Sequence, residues 1–214
     1  MITIVDYQMG NLRSVQKAIQ KVGGEATISD DPHVIANARQ LILPGVGGFG
    51  EAIDEIRRRD LERPLMDYLQ SGKPFLGICL GLQMLFDEGY ENGVHRGLGF
   101  FPGSVKRFDE SQFEASARTL KVPHMGWNTV KRHRECALLS GTSEETHFYF
   151  VHSFHVCPAE EDLTVLSCHY GYDFTAMVSR GNVMATQFHP EKSQEAGLKI
   201  LQNFVEMSGA TAAV

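Results

Sequence analysis

No stretch of this chain is apolar for long enough to span a bilayer, and no basic N-terminal region precedes an apolar run. Neither a membrane role nor a secretory leader is therefore expected. Cys-x-x-Cys pairs are also missing. The four cysteines, Cys79, Cys136, Cys157 and Cys168, are spaced for neither a zinc site nor a disulfide frame. Free thiols suit a reducing compartment, so a cytoplasmic location is expected. Positive charge is scarce, with 20 Lys and Arg against 26 Asp and Glu and a net charge of −6. Such a balance leaves no electrostatic footprint for nucleic acid, although an anionic small substrate held by a partner stays compatible with it. Internal repeats and low-complexity linkers are absent too. The 214 residues suffice for one well-buried α/β domain and fall short of two. We expect a single domain over residues 1–207 and a flexible small-residue tail over 208–214.

What is present is a cysteine between two glycines. Pro74 to Gln83 reads as a short apolar strand, a sharp turn with Cys79 at its apex, and a helix. Gly77 and Gly81 sit two residues to either side. This is the pattern of a nucleophile elbow with sulfur in place of oxygen. Such a turn exposes its apical side chain to a cleft and leaves no room for a Cβ on the flanking residues. It also sets the sulfur at a helix N-terminus, where free N–H groups favour an anion. The plain alternative is a tight turn carrying an inert small residue.

A covalent mechanism at Cys79 needs a base to take the thiol proton and return it to the leaving group. Val183 to Phe188 is strand-like and ends in His189-Pro190-Glu191. Histidine suits the task, and Glu191 can orient it if the chain turns at Pro190. The alternative is a surface turn before a helix. A third segment, Leu41 to Gly50, runs an apolar strand into the loop Pro44-Gly45-Val46-Gly47-Gly48. Acyl transfer builds an oxyanion that needs backbone N–H donors. Val46 in this loop and Leu80 after the cysteine are the candidates for them. The glycine spacing matches neither a dinucleotide fingerprint nor a P-loop; an ordinary strand-end loop is the competing reading.

The rest of the pattern fits around these segments. Strands are expected over Ile2 to Tyr7, Ala26 to Ser29 and Gln40 to Leu43. A helix carries Leu12, Val15, Ala18, Ile19 and Val22, with Asn11 as N-cap, and a short helix follows Pro32. A charged helical stretch from Glu51 to Gln70 breaks near Asp60 to Pro64. Beyond Gly97, short strands and turns replace the β–α alternation. The last helix, Gln194 to Met207, presents Leu198, Leu201, Phe204 and Val205 and is capped by Ser193. The expected fold is α/β: an open, mainly parallel twisted sheet flanked by helices, flavodoxin-like, with an antiparallel extension in the C-terminal half. Ligands bind such sheets beyond the carboxyl ends of the strands, where Gly45 to Gly48 and Cys79 both fall.

Pro-Gly-Val-Gly, Gly-Ile-Cys-Leu-Gly-Leu-Gln and Gln-Phe-His-Pro-Glu-Lys-Ser, in this order, resemble the class I (triad) glutamine amidotransferases. The likeness runs from about Ile2 to Val205. Asp6 to Leu12, Pro123 to Asn128 and Tyr149 to Phe154 resemble the branch serving histidine biosynthesis. Gln8 departs from it, glycine being more usual there. The resemblance implies Cys79, His189 and Glu191 as catalytic triad. It further implies that Gly47, Gln83, Glu91, His152 and Ser153 hold the substrate L-glutamine. Gln83, four residues after Cys79, would share its helix face. Also implied is a (β/α)8-barrel synthase partner in a heterodimer, which takes ammonia through a tunnel, with no cofactor. Met9, Asn11, Met125, Trp127 and Asn128 are then candidates for the partner interface, since methionine and tryptophan suit such surfaces. The peptide at Val46 is expected to rotate when the loaded partner binds.

Other readings are the same chemistry serving anthranilate or pyridoxal phosphate synthesis, a stand-alone thiol hydrolase of γ-glutamyl compounds, and a flavodoxin-like binding module without catalysis. No metal site is expected, although strand alternation would put His147 and His155 on one face. Cys136, Cys157 and Cys168 are expected to be packing residues.

Overall fold

The computed structural model describes residues 1–115 and 120–207. The expected tail over 208–214 lies outside these residues. Five parallel strands build one half of the main sheet: β1 (Ile2–Val5), β2 (Ala26–Ser29), β3 (Gln40–Gly45), β4 (Phe75–Cys79) and, from far down the chain, β13 (Val183–Thr186). The helices α1 (Leu12–Lys21), α2 (Pro32–Ala36), α3 (Phe49–Arg58) and α4 (Glu62–Gln70) connect the first four. Beyond β4 come the single-turn α5 (Leu80–Gln83), β5 (Phe86–Gly89), β6 (His95–Arg96), β7 (Phe101–Arg107), β8 (His124–Arg132), β9 (His147–His152), β10 (Phe154–Pro158), β11 (Thr164–His169) and β12 (Asp173–Arg180). After β13, α6 (Gln194–Glu206) ends the fold.

The main sheet has nine strands in the order β2-β1-β3-β4-β13-β12-β11-β8-β9. Pairing is parallel from β2 to β13 and antiparallel from β13 to β9. The expected antiparallel extension is thus continuous with the parallel half. A second, four-stranded sheet runs β10-β7-β5-β6.

The central strands β1, β3, β4 and β13 are buried along their whole length and mostly apolar because both faces are covered. Alternation along them feeds two cores. Val5, Leu41, Leu43 and Phe75 pack with α3, α4 and the small sheet, through Ile53, Leu65, Phe86 and Phe101. Ile4, Ile42, Leu76 and Ile78 pack with α1 and α6, through Val15, Ile19, Ile200 and Phe204. The charged stretch breaks at Arg59 to Leu61, where Asp60 takes a positive φ of 55°.

Several local expectations are corrected. Asn11 and Ser193 occupy the N-cap positions of α1 and α6, but neither side chain makes a capping bond. Ser193 Oγ instead donates to His189 O (2.7 Å) and accepts from the Tyr149 N–H (2.9 Å). The helix after Cys79 is one turn long, since the chain leaves it for β5, so it adds little dipole. The buried face of α6 is Gly197, Ile200, Leu201 and Phe204; Leu198 and Val205 are half-buried. His147 and His155 share no face: Ser153 switches the chain between sheets, leaving His147 exposed on β9 and His155 buried on β10.

Candidate active site

Cys79 ends β4 with φ 55° and ψ −108°, a backbone region that side chains rarely occupy. Strain of this kind is on the order of 1–3 kcal/mol and persists only where the surroundings enforce it. They do so here through the two flanking glycines. A Cβ on Gly81 would lie 1.9 Å from Leu43 O, and one on Gly77 would lie 2.9 Å from both Ala185 Cβ and Gly81 O. Below the elbow, buried Tyr7 donates to Pro44 O at 2.9 Å. Burial first, and then the charge of Cys79, raise the Tyr7 pKa, so its hydroxyl stays protonated.

His189 and Glu191 are held by a stapled turn. The 3-10 turn Pro190–Lys192 follows β13. His189 N–H donates to Tyr149 O (3.0 Å), and the two Ser193 Oγ bonds lock the same turn onto β9. Phe188 stacks on Phe148 with centroids 4.0 Å apart. The imidazole thereby points back toward Cys79. His189 Nδ1 donates to Glu191 Oε1 at 2.8 Å, which assigns the neutral ring its lone pair at Nε2. His189 Nε2 has no hydrogen-bond partner among the described residues and lines the cavity that Cys79 also lines. Burial opposes the charged imidazole, but the nearby Cys79 sulfur and the Glu191 carboxylate outweigh it and raise its pKa. The arrangement suits the imidazole to receive the thiol proton and to hold the resulting charge.

That cavity measures about 390 Å³. Its wall brings together Val46, Gly47, Cys79, Leu80, Gln83, Glu91, His152, Ser153 and His189 from five separate stretches of the sequence, with Val151, Phe154 and Lys192 in addition. Glu191 stands behind His189, off the wall. Gly47 has φ 106°, and the Met9 methyl fills the space where its Cβ would stand (2.7 Å), so a side chain there would meet both strain and a clash. Leu80 supplies the first N–H of α5, which has no partner within its own turn. Glu91 Oε2 accepts the Phe49 N–H at 2.7 Å, and this bond fixes the carboxylate at the start of α3. Gln83 is buried, not solvent-facing. Both of its amide hydrogens are engaged, by Phe154 O (3.0 Å) and Gln187 Oε1 (3.1 Å), leaving only its oxygen for a ligand.

His152 is one link in a buried relay. Asn128 Nδ2 approaches His124 Nε2 (3.3 Å), His124 Nδ1 approaches His152 Nε2 (3.1 Å), and His152 Nδ1 donates to Phe154 O (2.8 Å). Loss of hydration pulls His124 down to about 4 and lowers His152 as well, so both are neutral.

The residues named for an interface divide. Trp127 is 45 % and Met125 63 % exposed, so neither is a core residue. Trp127 meets Tyr149 edge-on, with centroids 6.1 Å apart. Asn11 is exposed, whereas Met9 and Asn128 are half-buried. Gln8 has φ 69°, which explains why glycine suits that position. Among the other cysteines, burial raises the pKa of Cys157 and raises Cys168 to about 12. Among the described residues, no cluster of three or more His, Cys, Asp or Glu is placed to hold a metal ion, and no helix is long and apolar enough to cross a membrane.

Sequence reasoning gave no role to Gln187, Lys192 or Tyr7. Gln187 had a usable signal: β13 pairs with β4 so that Thr186 sits beside Ile78, which puts the next residue of each strand side by side.

The sequence model described as glutamine amidotransferase class-I matches residues 3–207. The chain is 60 % identical over 205 residues to the imidazole glycerol phosphate synthase subunit HisH of Rhodopirellula baltica, covering 95 % of this chain and 96 % of that protein. It is 49 % identical to the protein of the same name from Syntrophotalea carbinolica, over 97 % of this chain and all of the relative. In fold it is similar to a crystal structure of a glutamine amidotransferase (TM-score 0.71, 20 % identity, 97 % and 100 % covered). It is also similar to the structure of PurLQS from Thermotoga maritima (TM-score 0.69, 18 % identity, 95 % and 96 % covered). A family match across nearly the whole chain, on a fold whose strand ends carry a cysteine elbow and a paired histidine and glutamate, leads to one conclusion: this protein belongs to the class I glutamine amidotransferase family.

Proposed function

We propose that this chain is the glutaminase subunit of an imidazole glycerol phosphate synthase. Cys79 Sγ attacks the side-chain amide carbon of L-glutamine, and its proton passes to His189 Nε2. The oxyanion forms against the N–H groups of Val46 and Leu80. Collapse of the tetrahedral intermediate breaks the C–N bond, and His189 protonates the leaving group, which departs as ammonia. Water, deprotonated by His189, then attacks the γ-glutamyl thioester. Glutamate leaves and the thiol is restored. Glu191 orients the imidazole and stabilises its charged form. The chemistry needs no cofactor.

Around the bound glutamine, the Glu91 carboxylate suits the α-ammonium group. The Gln83 oxygen can accept from the same group. Gly47, His152 and Ser153 complete the wall. The product ammonia must reach its acceptor without release, because protonation in solvent would destroy it as a nucleophile. We assign that task to a (β/α)8-barrel synthase partner docked over Met125 and Trp127. There ammonia attacks an N-phosphoribulosyl-formimino-aminoimidazole-carboxamide ribonucleotide and yields imidazole glycerol phosphate and an aminoimidazole ribonucleotide. An exposed tryptophan beside an exposed methionine favours a subunit over a stand-alone hydrolase.

The observation that carries the reading is the meeting of Cys79 and the Glu191-oriented His189 on one cavity at the carboxyl edge of the sheet. The test is glutamate release with and without the barrel subunit and its nucleotide. Release should rise with the loaded partner and vanish in Cys79→Ala. Undiminished release by Cys79→Ala would refute the proposal.

A further inference from the structure

One buried polar side chain lies against the nucleophile without a part in the mechanism above. Gln187 is 0 % exposed, and its Nε2 lies 3.6 Å from Cys79 Sγ. A primary amide is costly to bury, and an apolar side chain of similar volume would fill the space without that cost. Which end of the amide faces the sulfur is set by a backbone carbonyl. Phe154 O can only accept, so Gln83 must present nitrogen to it, at 3.0 Å. The second N–H of Gln83 then meets Gln187 Oε1 at 3.1 Å. Gln187 is left with its nitrogen toward the sulfur. His152 Nδ1 donates to the same Phe154 carbonyl at 2.8 Å, which holds the anchor of this chain in place.

We propose that Gln187 is a further catalytic residue, whose amide N–H donates to the Cys79 thiolate, and that Gln83 is a positioning residue that sets the direction of that amide. The inference rests on Cys79 being the attacking nucleophile. A thiolate accepts a hydrogen bond far better than a thiol, so the contact is strongest in the reactive form. Other titratable groups lie around the same cavity. His189, backed by Glu191, and Lys192 favour the anion; Glu91 opposes it; Tyr7 and His152 are neutral. His189 gives and takes a proton during each turnover. The amide keeps both of its hydrogens at every step, so its support does not depend on the state of the imidazole.

The experiment follows iodoacetamide alkylation of Cys79 on its own peptide by mass spectrometry, at neutral pH and without glutamine, in the full chain. Gln187→Glu keeps the shape and the oxygen that Gln83 donates to, while replacing the donor with a negative charge. Its alkylation rate should fall at least about tenfold, the scale of one charge-assisted hydrogen bond. Gln83→Met frees Gln187 to turn, and its rate should fall about threefold. Circular dichroism establishes that each variant is folded. A folded Gln187→Glu with the wild-type rate overturns the proposal; if that variant does not fold, Gln83→Met at the wild-type rate does so. Because no glutamine is present, the assay also separates the two readings. A wild-type Cys79 no more reactive than Cys168 would instead sink the nucleophile assignment.

Discussion

His189 Nδ1 donates a 2.8 Å hydrogen bond to Glu191 Oε1, and both side chains are only 2 % exposed. The bond does two jobs at once. It places the free lone pair of the ring at Nε2, beside the sulfur. It also sets a negative charge against an imidazole that must become positive during the reaction. Neither job can be done by water at so buried a site.

The first prediction concerns that charge. Glu191→Gln keeps the shape and loses the anion, and its neutral amide no longer favours one ring tautomer. The kcat for glutamate release should fall roughly 100- to 10,000-fold. KM should move little, because Glu191 does not line the cavity. Steady-state kinetics with the loaded partner decides it. A large rise in KM with kcat preserved would assign Glu191 to substrate binding.

The second concerns the elbow. Gly81→Ala would place a Cβ 1.9 Å from Leu43 O, which a backbone cannot accommodate without moving. A loss of about 1–3 kcal/mol of stability is expected, together with loss of glutaminase activity. Urea unfolding and a glutamate assay measure the two effects. A variant that is both stable and active would show that the turn tolerates a side chain.

The third concerns acid. His124 is lowered from 6.5 to about 4, and His152 is lowered too, burial being the main cause in both. As pH falls below about 6.5, the unfolded chain takes up protons that these folded imidazoles refuse. Stability that is whole above that pH is therefore lost on the way down to 4. His189 has the opposite sign, since its raised pKa makes its contribution complete below the ordinary histidine value and lost as pH rises through the raised one. Urea midpoints between pH 7.5 and 5 should fall more steeply for the wild type than for His124→Gln. Parallel slopes would contradict the account.

Much of this site could be read before any coordinates. The parallel half is legible because its central strands are buried on both faces and so are short and mostly apolar. Cys79 is legible because two glycines flank it at fixed spacing, and His189 and Glu191 because the chemistry of a thiol nucleophile asks for them. Gln187 was missed for a physical reason: a glutamine bears no chemical signature until the strand register sets it beside the sulfur. The histidine relay was hidden because His124 and His152 lie far apart in the chain and meet only through the β8–β9 register, which puts them directly opposite each other. Ser193 looked like a helix cap, yet its hydroxyl is spent on holding the His189 turn to β9.

The fourth prediction concerns docking. Trp127 is half exposed and touches Tyr149, whose carbonyl receives the His189 N–H. Trp127→Ala should weaken binding to the barrel subunit by about 2 kcal/mol or more, roughly thirtyfold. The melting temperature of the free subunit should stay nearly unchanged. Isothermal titration calorimetry and a thermal melt check this pair of outcomes, and equal affinity in the variant would move the interface elsewhere.

The central claim is that Cys79 sulfur bonds to the side-chain carbon of glutamine. Its most direct test is mass spectrometry of the chain after brief incubation with glutamine, in the presence of the loaded partner, and an acid quench. A γ-glutamyl adduct on the peptide carrying Cys79 is the result expected, with none in Cys79→Ala. Glutamate formed at full rate with the adduct on another residue would contradict it.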